Sequence, residues 1–179
     1  MPVTLHRSDD VTVLDLGDDQ NRMSPDWLYL VGEALDEVVA SAPGALVTTA
    51  SGRFFSNGLD LEWLGGHLDE YDAYLGRVQR LMARFLTLPV PTLAALPGHA
   101  FGMGAVLALT HDTRTMRTDR GYFCFPEIDL GLQFTPFHDG GHPSHAATGD
   151  RLGGQHDRPP LRRPRCPGGR DRPGPGRAR

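Results

Sequence analysis

Apolar and polar positions alternate in two short runs at the start of the chain, Val3 to His6 and Val11 to Leu16, and the intervening Arg7-Ser8-Asp9-Asp10 predicts a β-hairpin. The period then changes. Leu28, Val31, Leu35, Val38 and Val39 recur at helical spacing, Ser24 stands where a cap is needed, and Pro25 suits the first helical position. After Gly44, the run Ala45 to Thr49 suits a buried strand. A second helix is predicted from Glu70 to Leu88, with Leu75, Val78, Leu81, Met82, Phe85 and Leu86 as its inner stripe. Pro91 to Leu96 reads as a strand, and Gly98 to Gly104 as a glycine-rich turn into a short helix ending near Leu109. Thr113 to Arg117 and Tyr122 to Phe125 read as further strands. Strand and helix alternate, which makes the class α/β.

From Phe137 onward this patterning is lost: nine Gly, seven Pro and nine Arg fall among the last 43 residues. Such a segment buries too little apolar surface to offset the entropy of ordering it, so residues 137–179 read as a disordered tail. At 179 residues the chain holds one domain, placed at residues 1–136. The net charge of -4 is unevenly spread, because residues 1–136 carry 9 Arg against 18 Asp or Glu and residues 137–179 carry 9 Arg against 4 Asp. An acidic body argues against nucleic acid as a partner, since phosphate neutralisation needs clustered cations. Cys124 and Cys166 show no metal-ligand spacing, and no cationic start followed by an apolar region opens the chain, so a reduced, cytoplasmic protein is expected. The longest apolar stretch, Leu93 to Thr110, is broken by Pro97, Gly98, His99, Gly102 and Gly104, which argues against a membrane span.

Three segments carry candidate chemistry. Phe54-Phe55-Ser56-Asn57-Gly58-Leu59-Asp60-Leu61 and Gly98-His99-Ala100-Phe101-Gly102-Met103-Gly104 each lie between a predicted strand and a helix, where peptide N–H groups are left unpaired and can face a developing oxyanion. Either loop alone is also an ordinary glycine turn. The Gly102-x-Gly104 pair falls short of a dinucleotide fingerprint, because Leu107 stands where the third small residue belongs. His99 and His111 lack a nucleophile in any recognisable motif and read as structural, and Cys124, flanked by aromatics, reads as a packed thiol. The third segment, Phe123-Cys124-Phe125-Pro126-Glu127-Ile128-Asp129-Leu130-Gly131-Leu132, sets Glu127 among apolar neighbours. Such surroundings raise a carboxyl toward the range of a general base, or bury it in an ion pair.

In this order and at these separations the three segments resemble the crotonase (enoyl-CoA hydratase/isomerase) superfamily over residues 1–136, and their wording is most similar to the Δ3,Δ2-enoyl-CoA isomerase branch. The resemblance implies a ClpP/crotonase-like fold, a repeated β-β-α spiral whose C-terminal helical part is missing here. It also implies that the backbone N–H groups of Leu59 and Met103 receive the thioester oxygen. Ser56, Asn57, Gly58 and Asp60 would then lie along the CoA, with Gly102 and Val106 lining the substrate site. Glu127 matches one family carboxylate. The glutamate that hydratases carry three residues after the second donor is Val106 in this sequence, and one carboxylate favours isomerisation over hydration. Glu62 is a candidate second acid or a solvated helix residue. The implied function is transfer of a double bond from the 3- to the 2-position of an enoyl-CoA, with no cofactor beyond the CoA of the substrate. Hydration and non-catalytic acyl-CoA binding are the alternatives. A complete member is expected to form a homotrimer, and this chain to assemble poorly, with apolar helix faces left uncovered. The abrupt loss of resemblance near Pro136 admits a second reading of the Arg-, Gly- and Pro-rich tail, a shifted reading frame in a GC-rich gene.

Overall fold

The predicted hairpin is present: β1 (Thr4–Ser8) and β2 (Val11–Asp15) pair antiparallel, and Asp9 takes the left-handed turn conformation at φ 52° that aspartate tolerates. The computed structural model describes residues 3–126, all within the unit Met1–Phe137, so the tail and Glu127 lie outside the described residues. Helix α1 (Pro25–Ala40) follows, with Ser24 Oγ accepting from the Trp27 N–H at 3.2 Å and Pro25 opening the first turn.

Beyond α1 the chain repeats one unit. β3 (Ala45–Thr49) and β4 (Phe54–Ser56) lead into α2 (Leu61–Gly66), a 3₁₀ turn at Leu68–Glu70 and α3 (Tyr71–Leu86). β5 (Thr92–Leu96) and β6 (His99–Phe101) lead into α4 (Met103–Leu109), and β7 (Thr113–Met116) precedes β8 (Phe123–Cys124). The first strand of each unit joins a five-stranded sheet in the order β1-β2-β3-β5-β7. The second joins a three-stranded sheet in the order β4-β6-β8. All pairings after the hairpin are parallel. This is the expected β-β-α repeat.

Two of its members were not legible in the sequence. Phe54 to Ser56 and His99 to Phe101 read as loop and turn, yet both are strands of three residues. A strand that short carries too little alternation to stand out from a turn beside glycines.

Helical stripes and alternating strand positions meet in one core. Leu46 and Thr48 of β3 and Thr92, Ala94 and Leu96 of β5 point to its buried side. Leu28, Val31, Leu35 and Val38 of α1 cover it together with Tyr74, Val78, Leu81, Met82 and Phe85 of α3. Two expected stripe residues are exposed, Val39 at 46% and Leu86 at 59%, because each sits at the last turn, one position past the arc that faces the sheet. Arg84 on α3 ties the two helices, donating to the Gly32 carbonyl at 3.1 Å and to Asp36 at 2.6 Å.

His111, at the end of α4, is 3% exposed and joins helix to sheet. Its ring contacts the Leu107 carbonyl through Nδ1 at 3.0 Å and the Thr48 hydroxyl through Nε2 at 2.8 Å. A neutral imidazole satisfies both: Nδ1–H donates and Nε2 accepts. Burial pushes its pKa down from 6.5 to about 4, so between those values the unfolded chain binds a proton that the folded chain refuses. Stability contributed by the neutral ring is therefore complete above pH 6.5 and is lost as pH falls toward 4, by on the order of 3 kcal/mol. Urea midpoints across that window are expected to fall more steeply for the unaltered protein than for His111→Gln. Parallel slopes would show that His111 does not set this pH dependence.

Candidate functional site

The three strands of the small sheet run parallel, so their C-terminal ends form one edge. Leu59 follows the end of β4 by three residues, Met103 follows the end of β6 by two, and Glu127 follows β8 by three in the sequence. The topology thus delivers two of the implied residues to one edge, and the chain leads from that edge to the third, which lies outside the described residues.

The first loop is held by the segment before α1. Asn21 is buried at φ 49°, and its amide donates to the carbonyls of Gly17 at 3.2 Å, Phe54 at 3.0 Å and Phe55 at 3.2 Å. Ser56, fully buried, donates to the Asn21 carbonyl at 2.8 Å and accepts from the Gly58 N–H at 3.1 Å. The Asn57 N–H reaches the Gln20 carbonyl at 2.8 Å, and its amide reaches Gln20 Oε1 at 2.7 Å. The Met23 N–H donates back to the Gly58 carbonyl at 2.9 Å. Tyr74, fully buried on α3, accepts from the Asp60 N–H at 2.9 Å and donates to the Met23 carbonyl at 2.9 Å. Burial raises its phenol above the ordinary value, which keeps it protonated as this double role requires. Asp60 caps α2 by accepting from the Trp63 N–H at 3.2 Å.

The consequence is selective. The N–H groups of Asn57, Gly58 and Asp60 all have acceptors, whereas that of Leu59, among the described residues, has none. In the second loop the Gly102 N–H donates to the Cys124 carbonyl at 3.0 Å. Ala105 and Val106 N–H groups both reach the Gly102 carbonyl, at 2.9 and 3.1 Å. The Met103 and Gly104 N–H groups between them, at the first turn of α4, are likewise without an acceptor among the described residues.

Glycine lets the two loops meet. A Cβ on Gly58, which sits at φ 80°, would lie 2.8 Å from the Phe101 carbonyl oxygen and 3.0 Å from the Met103 nitrogen. One on Gly104 would collide with the Ser56 carbonyl. Gly102 supplies the reversal into α4 at φ 52°, ψ -124°, a conformation closed to other residues. The unpaired N–H groups of Leu59 and Met103, on backbone packed this closely, suit a single anionic oxygen.

The remaining expected positions divide. Asn57 and Asp60 are half-buried beside Leu59, while the Ser56 hydroxyl is already taken by two partners inside the loop. Val106 lies one turn along α4 from Met103, half-buried against the core. Glu62 is 86% exposed and pairs with Arg22 at 3.1 Å, as a solvated helix residue does. Asn21 and Tyr74 went unnoticed in the sequence, because their partners are backbone groups 34 and 51 residues away.

The family described as enoyl-CoA hydratase/isomerase matches residues 8–137. The chain is 36% identical over 143 residues to the peroxisomal enoyl-CoA delta isomerase 2 of Arabidopsis thaliana, covering 75% of this chain and 60% of that protein. It is 38% identical over 136 residues to enoyl-CoA delta isomerase 3 of the same plant, covering 72% and 57%. Among solved structures, a Mycobacterium tuberculosis protein described in one structure as a probable enoyl-CoA hydratase and in an apo structure as an enoyl-CoA isomerase is 30% identical with a TM-score of 0.64, the apo structure covering 73% of this chain and 57% of the other. The chain spans about 60% of the length of the curated relatives it matches.

Two glycine substitutions separate loop packing from generic helix effects. Gly58→Ala places a methyl against the Phe101 and Met103 backbone in a left-handed conformation and is expected to cost about 2 kcal/mol or more. Gly65→Ala, inside α2 with open space around it, is expected to gain up to about 1 kcal/mol. Denaturant titration of both checks this; equal effects would mean that the loops do not need their close approach.

Proposed function

The chain belongs to the enoyl-CoA hydratase/isomerase family, and we propose that it shifts the double bond of a 3-enoyl-CoA to the 2-position. The observation that carries this reading is the pair of acceptor-free N–H groups, Leu59 and Met103, on loops in backbone contact. Glu127 removes a proton from C2 and returns it to C4. The intermediate is a thioester dienolate whose charge collects on the carbonyl oxygen, where each preorganised donor is worth roughly 3 kcal/mol. A proton leaves one carbon and arrives at another, so the reaction balances without redox or metal chemistry, and CoA enters as part of the substrate.

Val106 supports isomerisation over hydration. Hydration needs a water held between two carboxylates, and the residue one turn beyond Met103 offers an isopropyl group packed on the core. The names borne by the Arabidopsis relatives point the same way. The assembly we propose for a complete member is the homotrimer, and exposed apolar side chains such as Leu68 at 70% and Leu61 at 68% support a further protein surface against this one. The cysteine pattern supports a reducing compartment, the cytoplasm. Among the described residues no helix is long and apolar enough to cross a membrane.

A 3-enoyl-CoA and a 2-enoyl-CoA, offered in parallel, test the reading. The 3-enoyl substrate is expected to be consumed faster, Glu127→Gln to lower that rate by about 10²–10⁴-fold with binding retained, and Val106→Glu to introduce hydratase activity. Faster conversion of the 2-enoyl substrate to a 3-hydroxyacyl product would establish hydration instead. Thioester binding without turnover of either would establish a non-catalytic acyl-CoA binder.

A further inference from the structure

The C-terminal edge of the small sheet carries the site above; its N-terminal edge carries a second cleft. Arg53 precedes β4, Gly98 and His99 open β6, and Gly121 and Tyr122 precede β8. Together with Thr118, Asp119 and Arg120 they line a cleft of about 430 Å³. Its floor is backbone packed on backbone, since a Cβ on Gly98 would collide with the Arg53 carbonyl and one on Gly121, at φ 106°, would lie 2.9 Å from Gly98.

The charges around it are unbalanced. Among the described residues neither Arg53 nor Arg120 makes a hydrogen bond or ion-pair contact with a carboxylate, and Asp119, which feels the charge of both Arg117 and Arg120, is held by Arg117 through contacts of 2.8 and 2.5 Å. His99, 9% exposed, forms part of the wall. Its Nε2 lies 3.3 Å from Arg53 Nε, which can only donate, so Nε2 accepts and the ring proton sits on Nδ1. Nδ1 is buried and has no acceptor among the described residues. Burial, with the Arg53 and Arg120 guanidiniums of the same cleft added, holds the imidazolium below its ordinary pKa. Tyr122, half-exposed and part of the cleft wall, stacks on the ring at 5.4 Å and 18°.

We propose that this edge is a second ligand site, built for a phosphoryl group held by Arg53 and Arg120. Two guanidiniums that hold no carboxylate by hydrogen bond, beside a single Asp119 already held by Arg117, match a doubly charged oxyanion. The cleft exceeds the size of phosphate itself, and the Tyr122 face suits a ring attached to it. This site lies at the opposite end of the strands from Leu59 and Met103 and shares no residue with the proposed oxyanion site, so either stands without the other.

Calorimetric or NMR titration of the full chain with inorganic phosphate and with phenyl phosphate tests it. Saturable millimolar binding is expected, weakened about tenfold by Arg53→Gln and by Arg120→Gln, and unchanged by Arg7→Gln on the hairpin. Arg120 makes no hydrogen bond or ion pair among the described residues, so its replacement decides the matter even where Arg53→Gln disturbs β4. Tighter binding of phenyl phosphate assigns the site to a phosphomonoester, and equal binding assigns it to the free ion. No saturable binding of either probe, or binding that Arg7→Gln weakens as much as Arg120→Gln does, overturns the proposal.

Discussion

Backbone contact between two loops is the constraint on which the candidate site depends. Gly58 lies against Phe101 and Met103, and Gly104 against Ser56, at separations that no side chain could enter. Main chain brought this close normally pairs its polar groups with each other. Here, among the described residues, Asn21, Ser56, Gln20 and Tyr74 take up the groups around Leu59 one by one, and the Leu59 N–H and those of Met103 and Gly104 at the start of α4 are left without acceptors. The unpaired N–H groups are thus a product of the surrounding hydrogen bonds, and cannot turn away to find partners of their own.

That scaffold draws on distant parts of the chain. The Asn21 segment comes from the connection before α1, Tyr74 from the middle of α3, and Met103 from the start of α4. His111 anchors the far end of α4 to β3, so the helix that begins at Met103 is tied to the large sheet at its other end. The repeated β-β-α unit explains why this works: each passage through the core leaves one strand in the large sheet for burial and one in the small sheet for presentation. Stability and site are handled by different strands of the same unit.

Much of this was readable in the sequence where the signal was periodic or local. Helix α1 announced itself through Ser24, Pro25 and the Leu28 to Val38 stripe, and the hairpin through its two short apolar runs. The close approach of the two loops was legible because glycines at Gly58, Gly102 and Gly104 mark it in a fixed order. Strands β4 and β6 were not, since three residues show no alternation to read. Asn21 and Tyr74 were hidden for a different reason: each acts on backbone carbonyls or amides, which every residue type supplies, so their partners leave no trace in composition or spacing. The same holds for the His99 cleft, whose character comes from three strand starts meeting in space.

The proposed chemistry requires two particular amides to receive one oxygen. Backbone amide shifts of the protein, recorded while a non-reactive acyl-CoA thioester is added, test this most directly. The Leu59 and Met103 N–H resonances are expected to move downfield together with one saturation curve, while those of Asn57, Gly58 and Asp60, already hydrogen-bonded to the protein, move far less. Saturation with Leu59 and Met103 unmoved, or shifted no more than their neighbours, would contradict it.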